Sequence, residues 1–263
     1  NDGFVFPAAI DKGIIAAISK STNDKSSAIA VDLDQQYHFS VDIIKPIKNG
    51  SWRNYIVGVV GEIQKIGKHI GNFNIVFGGD IPGGAGMSSS AALENSVVFG
   101  LNEIFSLGLS KQDMILISQK AEHNYVGVKC GIMDQYASMF GIENNALLLD
   151  CRTIKSKPFE IDFKAHELML INTNVKHNLS DSAYNDRRSV CESVSSLLNV
   201  KALRDANEFD LESIKDQVTP ENYQKALYYI KKAVNIDGDN ALYWKLYAKV
   251  NKRLNFLEES ERG

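Results

Sequence analysis

The chain has 263 residues, of which 44% are hydrophobic, and this is enough for one large or two ordinary domains with a real core. Its 29 basic and 32 acidic residues are scattered and give a formal charge of -3, which argues against a nucleic-acid partner or an anionic membrane surface. No apolar run approaches the length of a membrane span, and the first residues lack a basic region followed by a hydrophobic block. The expected location is therefore the cytoplasm.

The three cysteines are an odd and widely spaced set. Cys130, Cys151 and Cys191 contain no C-x-x-C pair. This spacing argues against a disulfide framework and against a zinc site. We expect three buried free thiols.

The first part of the chain predicts short strands followed by a helix. Apolar and β-rich runs occupy residues 4–10, 13–18, 28–33 and 37–43. They are typical of an antiparallel meander. Helical spacing then runs from Ser51 to His69, with Ser51 as a candidate cap and with Trp52 and Tyr55 in the first turn. An aromatic pair at this spacing is usually part of the core.

The most informative stretch is Phe77 to Leu93, which reads as a strand, a glycine-rich loop and a helix. Gly83, Gly84 and Gly86 follow Pro82 and leave the backbone accessible, and Ser88 to Ser90 suit a helix cap and first turn. Free N–H groups at such a helix start favour an anion, so the stretch predicts a phosphate site. It is neither a Walker A loop nor a G-x-G-x-x-G turn. The alternative to a phosphate site is a glycine- and serine-rich surface turn without a ligand.

Two carboxylates follow on predicted helices. Ser110 to Asp113 is a capping box that opens a helix ending near Glu122, and Asp134 lies at the start of a further helical run to Phe140. From spacing alone, the default reading of Glu122 is a solvated surface charge, and Asp134 could equally be a local cap. Residues 140–150 then predict a hairpin that turns at Asn144-Asn145.

The remaining elements suggest a second domain. Residues 163–167 form the expected passage, residues 168–174 a strand, and residues 175–198 lead into a helix. From residue 221 the pattern fits a helical hairpin or, alternatively, part of a tetratricopeptide unit. In the second reading, Ala226 and Ala233 belong to the second helix of one unit, and Trp244 and Ala248 belong to the first helix of the next. Their offset agrees with a 34-residue period.

Three motifs together resemble one enzyme family. They are PGGAGMSSSA at residues 82–91, Ala-Glu-His at 121–123 and Cys-Gly-Ile-Met-Asp-Gln at 130–135. The sequence is similar to the GHMP small-molecule kinases, and within them to galactokinases, over about residues 1–230. The resemblance implies an α+β protein with two domains: an ATP-binding, ribosomal protein S5 domain 2-like domain over 1–162, and an incomplete ferredoxin-like domain with a helical tail over 163–263.

The resemblance also implies roles for individual residues. Asp134 would be the catalytic base, Ser90 and Glu122 would hold Mg²⁺, and Gly131, Asp134 and Tyr184 would contact the sugar. Trp52 and Tyr55 would lie beside the adenine. The ATP phosphates would be bound by Gly83, Gly84, Ala85, Gly86, Met87, Ser88, Ser89 and Ser90.

The implied reaction is ATP-dependent phosphorylation of the anomeric hydroxyl of a hexose, galactose being the expected substrate. Family features that we do not find are an arginine with a Glu-His-x-Asp group before Gly3 and a second glycine-rich loop after Ile230. Two alternatives therefore stay open: a non-catalytic sugar and nucleotide sensor or scaffold, with a protein partner at the C-terminal helices, and a truncated, inactive kinase.

Overall fold

A computed structural model of the chain describes residues 2–81, 87–164, 169 and 180–234. Within these residues it has seven strands and seven α-helices. The strands are β1 (Phe4–Val5), β2 (Ile14–Lys20), β3 (Ser26–Ala30), β4 (Gln35–Phe39), β5 (Phe73–Gly79), β6 (Asn145–Asp150) and β7 (Lys155–Glu160). The helices are α1 (Trp52–Lys65), α2 (Ser89–Phe105), α3 (Lys111–Ala121), α4 (Met133–Phe140), α5 (Ser180–Leu197), α6 (Glu208–Ser213) and α7 (Pro220–Val234). None of these helices is both long enough and apolar enough to cross a membrane.

The chain divides into two compact units. The larger comprises Val5–Leu149 and Lys155–Asn185. The smaller comprises Asn1–Phe4, Asp150–Ile154 and Asp186–Gly263.

The main sheet of the larger unit has the strand order β2-β5-β3-β4. Strand β5 is antiparallel to β2 and parallel to β3, while β3 and β4 are antiparallel neighbours. The predicted meander is therefore wrong, since β5 lies between β2 and β3. A parallel β3–β5 pair needs a long crossover, and α1 between these strands supplies it.

A hydrophobic core joins this sheet to three helices. Alternate residues of β5, Phe73, Ile75 and Phe77, are buried, as expected for a strand with one covered face. Helix α1 is buried over most of its surface, which matches its run of valine and isoleucine, and it packs against α2 and α3.

A second sheet has the order β1-β6-β7. The hairpin predicted over residues 140–150 is wrong, because Phe140 ends α4 and only Asn145–Asp150 forms a strand. The local pattern contains a turn at Asn144, but the partner of β6 that follows it in the chain is β7.

The smaller unit has its own helical core. Cys191 and Val194 of α5 pack with Leu211 of α6 and with Ala226 and Ile230 of α7. Of the three cysteines, Cys191 is buried, whereas Cys130 and Cys151 are only partly covered, and all three are free thiols. The strand predicted at 168–174 and the tail from residue 235, including Trp244 and Ala248, lie outside the described residues.

Candidate active site

Helix α2 begins directly after the glycine-rich segment. The predicted phosphate contacts Gly83, Gly84, Ala85 and Gly86 lie outside the described residues, and the description resumes at Met87. Ser88 has a left-handed backbone, with φ 54° and ψ 46°, and its side chain makes no capping hydrogen bond to α2. An uncapped helix start keeps its N–H groups and its partial positive charge available to an anion.

The Ser88 side chain instead contacts Asp134. Its hydroxyl donates a hydrogen bond of 2.6 Å to Oδ2 of Asp134, which lies in the first turn of α4. Two turns further along α2, Nδ2 of Asn95 donates to the backbone oxygen of Gln135 at 2.9 Å. These two bonds fix the start of α4, and with it the predicted base, beside the start of α2.

Glu122 is positioned by close packing against α1. It is the first residue of a π-helical turn, Glu122–Val126, that continues α3. Gly58 of α1 allows this approach, because an added Cβ would come within 2.9 Å of the Ala121 Cβ, and a Cβ on Gly61 would meet the Tyr125 hydroxyl. Glu122 is 5% exposed. The default reading of Glu122 as a solvated surface charge is therefore wrong.

A second carboxylate, Glu94 of α2, is buried near Glu122. It is 0% exposed, and among the described residues neither of its oxygens has a hydrogen-bond partner. Burial, followed by the negative charge of Glu122, holds the pKa of Glu94 well above its ordinary value, and the Gln135 side chain offsets this only in part. The protonated form of Glu94 is thus favoured relative to that of a free carboxyl group.

The thiol of Cys130 lies among the same charges. Burial raises its pKa, and the charges of Glu122, Glu94 and Asp134 raise it further. A thiol with a raised pKa stays protonated and is a poor nucleophile. Cys130 is therefore not a candidate nucleophile.

The segment between the π-helical turn and α4, residues 127–132, is called the connecting loop below. Its Cys130 carbonyl oxygen lies 2.8 Å from Nε2 of His123 and accepts a hydrogen bond from Gln119 at 3.3 Å. A Cβ added to Gly131 would meet no described atom within 4 Å, so the space beside this glycine is open. Local side chains thus hold the loop while Gly131 stays accessible.

The predicted aromatic contacts differ in their surroundings. Trp52 is buried, packs edge-on against Phe77 and donates from Nε1 to Gln35 at 2.8 Å. Tyr55 is half-buried and packs against the same core. Tyr184, near the start of α5, is exposed. The described contacts of Trp52 are therefore those of a core residue.

The oxygen donors Ser90 and Glu122 are of the type that Mg²⁺ prefers. Within the described part of the chain, no three His, Cys, Asp or Glu side chains are grouped as a metal centre. This donor set fits Mg²⁺, which is commonly held by one or two protein oxygens together with substrate phosphates and water.

Sequence reasoning missed Glu94, Asn95 and the Ser88–Asp134 contact. For Glu94 a signal exists, because it lies four and seven residues before Val98 and Leu101 and so shares their apolar helix face. A glutamate in such a stripe indicates a buried carboxyl. The Ser88–Asp134 contact joins residues 46 positions apart, and no local pattern could predict it.

Comparisons with known proteins show which proteins the chain is similar to. The family model described as "GHMP kinases N terminal domain" matches residues 54–142, which include the start of α2, Glu122 and Asp134. The chain is 42% identical to a galactokinase of Thermosipho africanus over 211 residues, which is 80% of this chain and 58% of that protein.

A galactokinase of Clostridium acetobutylicum is 35% identical over 226 residues, covering 83% of this chain and 58% of that protein. The crystal structure of Lactococcus lactis galactokinase complexed with galactose superposes with a TM-score of 0.80 at 26% identity, covering 89% of this chain and 63% of that one. The chain thus spans somewhat more than half the length of these relatives. Residues 54–142 are thus similar to the N-terminal domain of GHMP kinases, and the chain as a whole is similar to galactokinases.

Proposed function

We propose that the chain acts as a galactokinase and transfers the γ-phosphoryl group of ATP to the anomeric hydroxyl of galactose. The observation that carries the proposal is the 2.6 Å hydrogen bond between Ser88 and Asp134. Phosphoryl transfer needs a carboxylate near the phosphates to accept the proton of the attacking hydroxyl, and this bond holds one at an uncapped helix start. The similarity to galactokinases supports galactose as the acceptor.

The phosphates would be bound at the start of α2 and in the glycine-rich loop before it. The N–H groups of Ser88, Ser89 and Ser90 and the helix dipole would face the β- and γ-phosphates. The remaining proposed contacts in this region are Gly83, Gly84, Ala85, Gly86 and Met87.

Ser90 and Glu122 would hold Mg²⁺, which when bound spreads the charge that develops on the transferred group.

Asp134 would accept the proton of the sugar hydroxyl through the carboxylate that Ser88 orients. Gly131 offers open space in which a sugar ring could approach the backbone, and Tyr184 offers an exposed ring. Trp52 and Tyr55 are proposed to lie beside the adenine of ATP. Trp52 is part of the hydrophobic core and would act mainly through its packing there.

Two broader expectations accompany this proposal. A kinase that consumes ATP would work in the cytoplasm, and the domains would follow the expected division at 1–162 and 163–263. The sensor or scaffold alternative, the inactive fragment and a protein partner at the C-terminal helices gain no support from the relatives, which are named galactokinases.

The experiment is a coupled assay of ADP release with ATP and Mg²⁺, run with and without galactose, next to calorimetry with each substrate. The proposal predicts ADP release that requires both galactose and Mg²⁺. Binding of ATP and galactose without ADP release would contradict it and would favour a sensor. Release with another hexose and none with galactose would correct the substrate.

A further inference from the structure

Asn185, the last residue of the larger unit, makes two hydrogen bonds to the connecting loop. Its Oδ1 accepts from the backbone N–H of Lys129 at 2.8 Å, and its Nδ2 donates to the backbone oxygen of Gly127 at 2.9 Å. The partners lie 56 and 58 residues before it in the sequence. One side chain thus ties the start of α5 to both backbone groups that flank Val128.

The two hydrogen bonds of residue 185 require a side chain that both accepts and donates, as asparagine does. The loop presents one N–H donor and one carbonyl acceptor, and a primary amide offers the complementary acceptor and donor. Aspartate could accept from Lys129 but could not donate to Gly127, and its charge would face the Gly127 carbonyl. Alanine would leave both backbone groups to water.

The connecting loop is also held by the π-helical turn that precedes it. The N–H groups of Gly127 and Val128 bond back to the Glu122 carbonyl oxygen at 2.8 and 3.1 Å, and His123 lies against the Cys130 carbonyl. The N–H of Lys129 and the carbonyl oxygen of Gly127 are the loop backbone groups that, among the described residues, contact α5.

We propose that Asn185 is a positioning residue of the sugar site. This inference rests on the proposed function, in which Gly131 and Tyr184 contact the sugar. Gly131 lies two residues after Lys129 and Tyr184 lies immediately before Asn185, so the two hydrogen bonds fix the separation of the proposed contacts. Without them, the sugar would have to order the loop and the helix start on binding, which weakens affinity.

The test compares Asn185→Ala and Asn185→Asp with the parent chain. Glu192→Gln, which alters an exposed Arg188–Glu192 pair on the same helix, is the matched control. The readouts are galactose and MgATP affinity by calorimetry and hydrogen exchange of the Lys129 amide. We expect Asn185→Ala to speed Lys129 exchange and to weaken galactose binding about 5- to 30-fold, with MgATP affinity unchanged.

Asn185→Asp keeps the Lys129 acceptor, so we expect slower Lys129 exchange than in Asn185→Ala but a similar loss of galactose affinity. The control should match the parent chain in every readout. Equal losses of galactose and MgATP affinity would indicate general destabilisation and would overturn the proposal, as would faster Lys129 exchange with unchanged galactose affinity.

The outcome also separates this proposal from the proposed function. If the parent chain binds no galactose, the proposed function fails and the sugar role of Asn185 fails with it. If the parent binds galactose and the Asn185→Ala variant binds it equally well, the proposed function stands and the positioning role alone is refuted.

Discussion

Helices α2 and α3 follow one another in the chain, and each begins directly after a serine, but the two serines act differently. At α3, Ser110 has an extended backbone and forms a full capping box with Asp113. At α2, Ser88 has a left-handed backbone, makes no cap and donates to Asp134 instead. The Ser110 hydroxyl accepts from the Asp113 N–H at the start of α3, whereas no side chain caps the start of α2 and its N–H groups stay available to an anion. Departures from local rules of this kind are concentrated at functional sites.

The contrast continues inside the two helices. The N-terminal half of α2 buries Glu94 and Asn95, and atoms of both lack hydrogen-bond partners among the described residues. Helix α3 places Met114, Ile115 and Ile117 at its buried positions, although its Ser118 hydroxyl is also buried and unpartnered. A buried carboxyl costs more free energy than a buried hydroxyl, so α2 carries the larger destabilising feature.

The largest expected effect comes from removing the carboxylate that the Ser88 hydroxyl contacts. We expect Asp134→Asn to lower turnover about 10²- to 10⁴-fold, since loss of a general base has this size, while ATP affinity is kept. Steady-state ADP release and calorimetry measure the two quantities. Asp24→Asn, an exposed carboxylate of the same unit, is the control and should leave turnover unchanged. Retained turnover in Asp134→Asn would remove Asp134 from its role.

The second effect concerns the pH dependence of stability through Glu94. Its raised pKa means that the unfolded chain loses this proton near the ordinary pKa of 4.5, while the folded chain keeps it. The free energy of unfolding therefore falls as pH rises above that value, by about 1.4 kcal/mol per pH unit. Glu94→Gln removes this slope.

We expect urea unfolding in metal-free buffer at pH 5 and pH 7 to show that the stability of Glu94→Gln rises relative to that of the parent chain as the pH rises. Glu103→Gln, a substitution at an exposed position of the same helix, is the control and should leave the slope unchanged. Parallel stability curves for Glu94→Gln and the parent chain would show that Glu94 ionises normally and would contradict its raised pKa.

The third effect separates the two serines by activity. Ser88→Ala removes the hydrogen bond that orients Asp134. We expect transition-state stabilisation to fall by about 1.4 kcal/mol, which corresponds to a turnover about tenfold lower. Ser110→Ala should leave turnover unchanged, since within the described part of the chain its hydroxyl makes hydrogen bonds to Asp113 alone. Equal turnover of the two variants would mean that Ser88 has no catalytic consequence.

The smallest expected effect concerns the contribution of Ser110 to stability. Ser110→Ala should lower the free energy of unfolding by about 1 kcal/mol, the usual cost of losing an N-cap. Urea unfolding of the single variants and of the double variant with Asp113→Ala measures this cost. Within the capping box the two losses should overlap and not add. Additive losses would show that the two side chains act independently.

The same contrast explains how much the sequence could predict. The capping box at Ser110 follows from residues three apart, and the prediction is confirmed. Helices α1 and α2 follow from the spacing of their apolar residues and lie close to the predicted positions. Ser51 and Ser88 precede them as predicted, but neither side chain makes the expected cap.

What could not be predicted depends on contacts between distant residues. Insertion of β5 between β2 and β3 is decided by which faces the helices cover, and a strand pattern alone does not contain that information. The π-helical turn at Glu122 likewise depends on glycines of α1 that admit Tyr125. The roles of Ser90, Glu122, Asp134, Gly131 and Tyr184 stay predictions, drawn from the resemblance.

The most direct test of the account is an NMR titration of the backbone amides with MgATP, comparing the starts of α2 and α3. We predict that the amides of residues 88–91 shift and exchange more slowly on addition of nucleotide, while those of residues 111–113 do not change. Unchanged amides at residues 88–91, or equal changes at both helix starts, would contradict the claim that the start of α2 binds the phosphates.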